Sequence, residues 1–219
     1  MHFYPKISRV FFPRRAPLAG IVLALLTLHC HAAGLRVERL EAQGGNAAPF
    51  DAIEVQFNQP VADGSFTTAD IVAFTGPGGN VPVSSVTKVT SQRYLISASG
   101  TSLQSYTLEF GPEIRDAAND PLDQDGDGTA GELAEDVFRA RLIADNANIA
   151  NGDGSFDGRA LLFAIGAATV DGNHTSAHVE AQRGATPLFQ NAATLTFRSL
   201  RADSGASVRI GGGTTVNDL

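Results

Sequence analysis

Cysteine is almost absent from this chain, since Cys30 is the only one among its 219 residues. A single cysteine excludes an internal disulfide framework. Tryptophan is absent, and helical periodicity is nearly absent as well. Together with 23 glycines, this composition favours strands joined by turns. The sequence therefore predicts an all-β fold.

Positive charge is scarce beyond the first residues. Without residues 1–34 the chain keeps 12 basic and 23 acidic residues, which gives a formal charge of −11. A surface this acidic repels the phosphate backbone of DNA or RNA. We therefore expect no nucleic-acid partner.

Long apolar runs are missing too. The most apolar run, residues 18–28, has eleven residues, whereas a membrane-spanning helix needs about twenty. Small residues that suit a signal peptidase follow it at Ala32, Ala33 and Gly34. Basic residues precede it, namely Lys6, Arg9, Arg14 and Arg15. This order predicts a signal peptide over residues 1–34, a secreted or cell-surface location in a bacterium, and no transmembrane span in the mature chain.

Two other interpretations of the N-terminus stay open. Cys30 is a candidate for lipoprotein acylation, although His29 stands where a small residue is expected. Arg14 and Arg15 form a twin-arginine pair, although Ala16 and Pro17 follow it. A cleaved export signal accounts for the pattern better than either.

Residues 35–144 alternate between apolar and polar side chains in short runs. Ile53, Val55 and Phe57 face one side of such a run, with Glu54 and Gln56 on the other. Turn-rich pieces containing Gly, Pro and Asn separate the runs. The spacing is that of a seven-stranded antiparallel β-sandwich.

Residues 116–136 contain nine Asp, Glu and Asn side chains and no Lys or Arg. Asp123, Asp125 and Asp127 alternate with other residues, so their carboxylates can converge on one hard cation, as in the first half of an EF-hand loop. The second half departs from that motif, because Ala134 stands at position twelve. We predict a calcium loop with Asp123, Asp125, Asp127 and Glu132 as ligands and a backbone carbonyl near Thr129. A solvated acidic turn without metal is the alternative, since Asp-Gly pairs form turns unaided.

The segments VQFNQPVADGSFTTADIVAFTGPGG (residues 55–79) and YTLEFGPEIRDAANDPLDQDGDGTAGELAEDVF (residues 106–138) carry a family likeness. They resemble the bacterial Ig-like domain that is repeated in large secreted and cell-surface proteins. The resemblance implies a β-sandwich without catalytic activity that serves as a spacer or adhesive unit. It also implies that the acidic loop connects the last two strands.

The amino-acid composition changes after Ile143. Residues 145–158 are rich in Asn, Asp and Gly and predict a linker. Asp145, Asp153 and Asp157 could hold a second cation there, but a plain linker uses the same residues.

A repeat with a period of 21 residues follows the linker. HVEAQRGATPLF (residues 178–189) superposes on SLRADSGASVRI (residues 199–210), with Gly184 on Gly205 and Val179 on Leu200. Each copy is a short strand, a glycine turn and another strand, which predicts a short parallel β-solenoid over residues 159–219. The segment AATVDGNHTSAHVEAQRGAT is similar to β-helical stretches that follow Ig-like domains in very large bacterial exoproteins. The repeat ends without a polar cap, which favours a chain that is the N-terminal part of a larger protein, or else a last coil that pairs with another chain.

Catalytic motifs are poorly represented. His174 and His178, with Ser176 and Glu180, could be drawn as an acid/base or metal cluster, but strand residues four apart lie about 13 Å apart. They fit exposed polar residues on a strand better. We therefore expect no enzyme, but a calcium-stabilised structural or adhesion module for a cell-surface glycan or protein ligand. The alternative is the accessory region of a secreted polysaccharide-degrading enzyme.

Overall fold

The computed structural model describes residues 34–44, 50–100, 105–144, 148–149, 159–171, 174–190, 194–203, 205–211 and 215–218. In these residues the chain is all-β, with one short 3-10 helix, Thr68–Asp70, and no α-helix. The prediction of an all-β fold is confirmed. The strands are β1 Val37–Gln43, β2 Phe50–Phe57, β3 Ile71–Gly76, β4 Gly79–Asn80, β5 Ser85–Lys88, β6 Arg93–Gly100, β7 Ser105–Phe110, β8 Phe138–Ala144, β9 Asn148–Ile149, β10 Arg159–Ile165, β11 Thr169–Asp171, β12 His174–Ala181, β13 Leu188–Gln190, β14 Thr194–Ala202, β15 Arg209–Ile210 and β16 Thr215–Asp218.

Three sheets are built from these strands. The first is antiparallel, in the order β1-β2-β6-β5. The second has eight strands in the order β16-β14-β12-β10-β8-β7-β3-β4, and the third has the order β15-β13-β11-β9. In the second sheet, β4, β3, β7 and β8 pair antiparallel, whereas β8, β10, β12, β14 and β16 pair parallel. From β8 onward the chain alternates between the second and third sheets. We call the parallel strands β8 to β16 of these two sheets the stack.

The first core lies between the first two sheets and is rich in aromatic side chains. Phe50 packs edge-on against Tyr106 with ring centroids 4.9 Å apart, and Phe66 lies 5.3 Å from Phe110. Ile53 and Val55 are fully buried on β2, as the alternation in the sequence predicts. Burial of this kind contributes about 25 cal/mol per Å² of apolar surface and dominates the stability of the fold.

The second and third sheets enclose a second, smaller core. It contains Ile143, Leu161, Phe163, Val170 and Phe189. Alternate residues of β8 and β10, including Leu142 and Leu162, point into the first core. These two strands are thus buried on both faces, which explains why β10 reads as a continuous apolar run.

The predicted linker separates strands that are neighbours in one sheet. Leu142 of β8 pairs with Leu162 of β10, and Ile143 pairs with Phe163. Ala32–Leu219 forms one compact unit. The boundary proposed at residues 145–158 therefore stays a prediction. Asp145, Asp153 and Asp157, the proposed second cation site, lie outside the described residues.

The 21-residue repeat appears as a register between neighbouring parallel strands. Val179 pairs with Leu200, and Phe189 pairs with Ile210. Gly184 and Gly205, which the repeat superposes, both adopt left-handed backbone with φ of 79° and 81°. Glycine adopts this conformation without the steric cost that a side chain brings. Each period therefore contains the same turn between a strand of the second sheet and a strand of the third.

No helix in the described part of the chain has both the length and the apolar character to span a membrane.

Candidate metal centre

The acidic segment connects β7 to β8, and its base is fixed by the backbone. Leu122 is fully buried and forms a parallel bridge with Leu35 just before β1. The Asp123 N–H donates to the Leu35 carbonyl at 2.9 Å, and the Gly131 N–H donates to the Leu122 carbonyl at 2.8 Å. Residues 123–130 therefore form a loop that is closed at its base.

Three aspartates turn the loop by accepting backbone hydrogen bonds. Asp123 Oδ1 accepts from the Gly126 N–H at 2.9 Å. Asp125 Oδ1 accepts from the Asp127 N–H at 3.1 Å, and Asp127 Oδ1 accepts from the Thr129 N–H at 2.7 Å. Such side-chain-to-backbone bonds are the turns that short polar side chains favour. They fix the orientation of each carboxylate.

The carboxylates converge in two groups that share Asp125. One group is Asp123, Asp125 and Asp136, and the other is Asp125, Asp127 and Glu135. Within each group the candidate ligand atoms lie within 4.8 Å of one another. Calcium binds oxygen at about 2.3–2.6 Å, so two of its ligands can be up to roughly 5 Å apart. Both groups thus have the dimensions of a calcium site.

Asp136 is the most enclosed of these side chains. It is fully buried, its Oδ1 accepts from the Gln124 N–H at 2.6 Å, and its Oδ2 accepts from the Glu132 N–H at 2.9 Å. Buried carboxylates require such partners, because charge transferred from water into protein is otherwise strongly disfavoured. Asp136 therefore joins the two ends of the loop.

Glu132 is surrounded by negative charge. Its Oε2 is shielded from solvent and has no hydrogen-bond partner in the structure. Desolvation raises the pKa of the Glu132 carboxyl, and the negative charges of Glu135, Asp127, Asp136 and Asp125 raise it further. A cation at the loop would reverse the second contribution.

The basic side chain of Arg36 contacts the loop without forming an ion pair with its carboxylates. The Arg36 guanidinium lies against Gly126, where an added Cβ would come within 2.7 Å of Nη1. Gly126 has φ of 80°, so the backbone conformation favours glycine here, whereas the flexible Arg36 side chain can move away from an added Cβ. Among the residues that the structure describes, no Lys or Arg forms an ion pair with any carboxylate of residues 123–136.

The four predicted ligands have different positions. Asp123 and Asp125 lie together in the first group, and Asp125 and Asp127 lie together in the second. Glu132 belongs to neither group. Asp136 and Glu135 are not among the ligands predicted from the sequence, because an EF-hand loop has its glutamate ligand at position twelve, where this chain has Ala134. The sequence shows these two residues as an adjacent acidic pair shortly before β8. A strand that is held by its neighbours also fixes the position of the side chains next to it.

The loop also contacts β1 through Gln124. The Val37 N–H donates to Gln124 Oε1 at 2.9 Å on the outer side of β1. Farther along the same edge, the Ala42 N–H donates to Gln182 Oε1 at 3.0 Å, and Gln182 Nε2 donates to the Leu40 carbonyl at 2.9 Å. Two glutamine side chains thus take the place of a neighbouring strand and satisfy backbone groups on the outer edge of β1.

A groove of about 880 Å³ lies between β1 and the strands β10, β12 and β14. His178 Nδ1 and Ser199 Oγ are 2.6 Å apart in its wall. Glu180 is occupied by other partners, because Arg39 Nε and Gln182 Nε2 donate to it at 3.0 and 2.9 Å. The side chains of His174 and Ser176 lie outside the described part, so the acid/base cluster considered from the sequence stays untested.

No family model matches the chain, and neither the curated proteins nor the solved structures contain a significant match to it.

Proposed function

We propose that this protein is an exported, non-enzymatic structural or adhesion module of a bacterial surface, stabilised by calcium. The observation that carries the proposal is the pair of carboxylate groups sharing Asp125 on a loop attached to both β1 and β8. A cation bound there would stiffen the connection between the two sheets that enclose the first core.

The charge of the loop supports calcium. Six carboxylates lie within residues 123–136, and no described Lys or Arg is paired with any of them. Two carboxylates about 4 Å apart repel each other by about 1 kcal/mol even in water-like surroundings. Calcium relieves this repulsion and accepts mixed carboxylate, carbonyl and water ligands in flexible geometry. Asp123, Asp125 and Asp136 would hold the enclosed ion, and Asp127 and Glu135 the outer side.

The architecture in this proposal is an Ig-like antiparallel β-sandwich followed by a short parallel β-solenoid. Two facing sheets with the acidic loop between β7 and β8 support the first part. The 21-residue register and the alternation between two parallel sheets support the second. Such bodies space or present binding surfaces, and a cell-surface glycan or protein is the partner proposed here. The groove beside β1 has the volume of a small-ligand site.

Calcium titration tests this proposal directly. We expect isothermal titration of metal-free protein to show binding, and millimolar calcium to raise the melting temperature by several degrees. The Asp125→Asn/Asp127→Asn variant should lose most of that increase. Asp51→Asn, an exposed change of the same kind on β2, should keep it. No binding heat in the native protein, or an equal response in the loop variant, would remove calcium from the function.

A further inference from the structure

The groove beside β1 lies where the two sheets around the first core differ in width. The first sheet ends at β1, whereas the second continues past β8 into β10, β12 and β14. β1 forms the wall of the groove, and these three strands form its floor. Both β10 and β12 are paired on each side, so the floor is an interior part of its sheet. The groove is therefore fixed by strands of both sheets.

Positive charge is concentrated in this groove, although the chain as a whole is acidic. Beyond residue 34 the sequence has 12 basic residues, and three of them, Arg36, Arg39 and Arg201, line the groove. Glu38 and Glu180 line it as well. A guanidinium group is planar and can donate two parallel hydrogen bonds to one carboxylate. The lining therefore includes the groups that proteins use to bind carboxylates.

Two of the three arginines already have carboxylate partners within the protein. Arg39 donates to Glu180 through Nε at 3.0 Å and to Asp203 through Nη2 at 2.9 Å. Arg201 Nε lies 3.4 Å from Asp203 Oδ1 and 3.9 Å from Glu180 Oε1. These internal ion pairs hold the floor and the wall together. They also occupy the Glu180 carboxylate, so it is not an open acceptor in the groove.

Arg36 is the cation of the groove without an internal counter-ion. Among the residues that the structure describes, no carboxylate forms an ion pair with it. Its backbone is well fixed, because its N–H donates to Asn58 Oδ1 at 2.8 Å and its carbonyl accepts from the Asn58 N–H at 3.0 Å. The residue is half-buried. A partly desolvated cation of this kind is stabilised by an anion from outside the chain.

Neutral hydrogen-bonding groups complete the lining. They are the side chains of Gln56, Asn58, Gln124, His178 and Ser199. His178 Nδ1 and Ser199 Oγ lie 2.6 Å apart on the floor and so form a joined polar group. Amide, imidazole and hydroxyl groups both donate and accept, which suits ligand hydroxyl groups that do the same. The groove thus combines one available cation with several partners for hydroxyl groups.

We propose that the groove beside β1 binds an acidic saccharide, with a carboxylate on the Arg36 guanidinium and hydroxyl groups on the neutral side chains. This inference rests on the proposed adhesion function, because it names the class of partner that the module binds. A neutral saccharide fits less well, because it leaves the charge of Arg36 without a counter-ion. A flat apolar ligand fits less well too, because the aromatic residue in the lining, Phe138, is buried and offers no ring for stacking.

Isothermal titration of the purified protein with a trisaccharide of glucuronic acid tests the proposal. We expect binding at neutral pH, and binding weaker by about tenfold or more for the corresponding trisaccharide of glucose, which has hydroxymethyl groups in place of the carboxylates. Binding should occur in chelator as well as in calcium, because protein side chains supply the contacts. A failure of calcium binding would therefore leave this result intact. Calcium binding without saccharide binding, or equal affinity for both trisaccharides, would overturn the inference about the groove.

Substitutions at Arg36 test the residue that is assigned to the carboxylate. Arg36→Gln should raise the dissociation constant of the acidic trisaccharide by about tenfold or more, and Arg36→Lys by less, because lysine keeps the charge but lacks the planar fork. The control Arg115→Gln removes an exposed arginine that pairs with Glu113 outside the groove, and it should leave the constant unchanged. Native affinity in Arg36→Gln would contradict the assignment. The melting temperature of each variant checks that it is folded.

NMR of the native protein provides a measurement that needs no substitution. Saturation with the acidic trisaccharide should shift the amide resonances of Arg36, His178 and Ser199, which lie on the wall and the floor of the groove. The amide of Arg115 should not shift. Shifts confined to residues outside the groove would overturn the inference even if the saccharide binds.

Discussion

Arg39 and Glu180 form an ion pair at 3.0 Å although 141 residues separate them in the sequence. Arg39 lies on the edge strand of the first sheet and Glu180 on β12 of the stack. Burial lowers the pKa of Arg39, but the hydrogen bond and charge of Glu180, with the charges of Glu41 and Asp203, outweigh burial and raise it. The charged guanidinium of Arg39 therefore ties the first strand to the stack.

Removing this cation should destabilise the protein. Arg39→Met leaves Glu180 and Asp203 without their closest cationic partner, and we expect a loss of about 1–3 kcal/mol in the free energy of unfolding. Urea unfolding at neutral pH measures it. The control Arg93→Met removes the more exposed pair with Glu54 and should cost less than about 1 kcal/mol. Equal losses would mean that the Arg39 cluster contributes no more than a surface pair.

The side chain of Gln182 should stabilise the edge of β1 and protect its backbone amides from hydrogen exchange. Gln182→Leu keeps most of the volume but leaves the Leu40 carbonyl and the Ala42 N–H unsatisfied in a buried place. Each unsatisfied group costs about 1–3 kcal/mol, so the expected loss in the free energy of unfolding is roughly 2 kcal/mol or more. Hydrogen exchange should show faster exchange of the Ala42 amide. Unchanged protection there would show that another group covers this edge.

The pH dependence of the metal-free protein should report on Glu132. Its pKa is raised in the folded state, so the charged form disfavours folding. This penalty is fully present above the raised pKa and disappears as the pH falls below the pKa of the unfolded chain, about 4.3. Glu132→Gln should therefore be more stable than the native protein at about pH 8 in chelator, and the difference should vanish near pH 4. A constant difference across this range would contradict the assignment to Glu132.

The repeated glycine turn should be sensitive to conformation rather than space. Nothing lies within 4 Å of a Cβ added at Gly205, but its φ is 81°. Gly205→Ala should cost about 1 kcal/mol in the free energy of unfolding through backbone strain alone. Gly78 has equally open surroundings without a positive φ, so Gly78→Ala should be close to neutral. Similar losses at both positions would rule out this explanation.

Local pattern predicted much of the strand content, and long-range pairing was harder to infer. The alternation in Ile53, Val55 and Phe57 and the repeat linking Val179 to Leu200 both depend on neighbours along the chain or on a constant period, so they are visible in the sequence. The pairing of β8 with β10 is not visible in the sequence. The residues between these strands are rich in Asn, Asp and Gly, and such a composition is typical of a linker between domains as well as of a connection between strands of one sheet. The position of Asp136 beside Asp123 could not be predicted for a related reason, because it depends on the folded path of the chain and not on a local motif.

β10 faces a core on each side, and this has a consequence for its alignment. A slip by one residue would still bury apolar atoms, so polarity does not select its register. Size does, because the small Ala160 and Ala164 flank Leu162 on one face, while Leu161 and Phe163 fill the other. A slip would force the phenyl ring into space shaped for smaller groups and leave a void opposite. The alignment of β10, and of the strands that follow it, thus depends on the alternating sizes of five consecutive side chains.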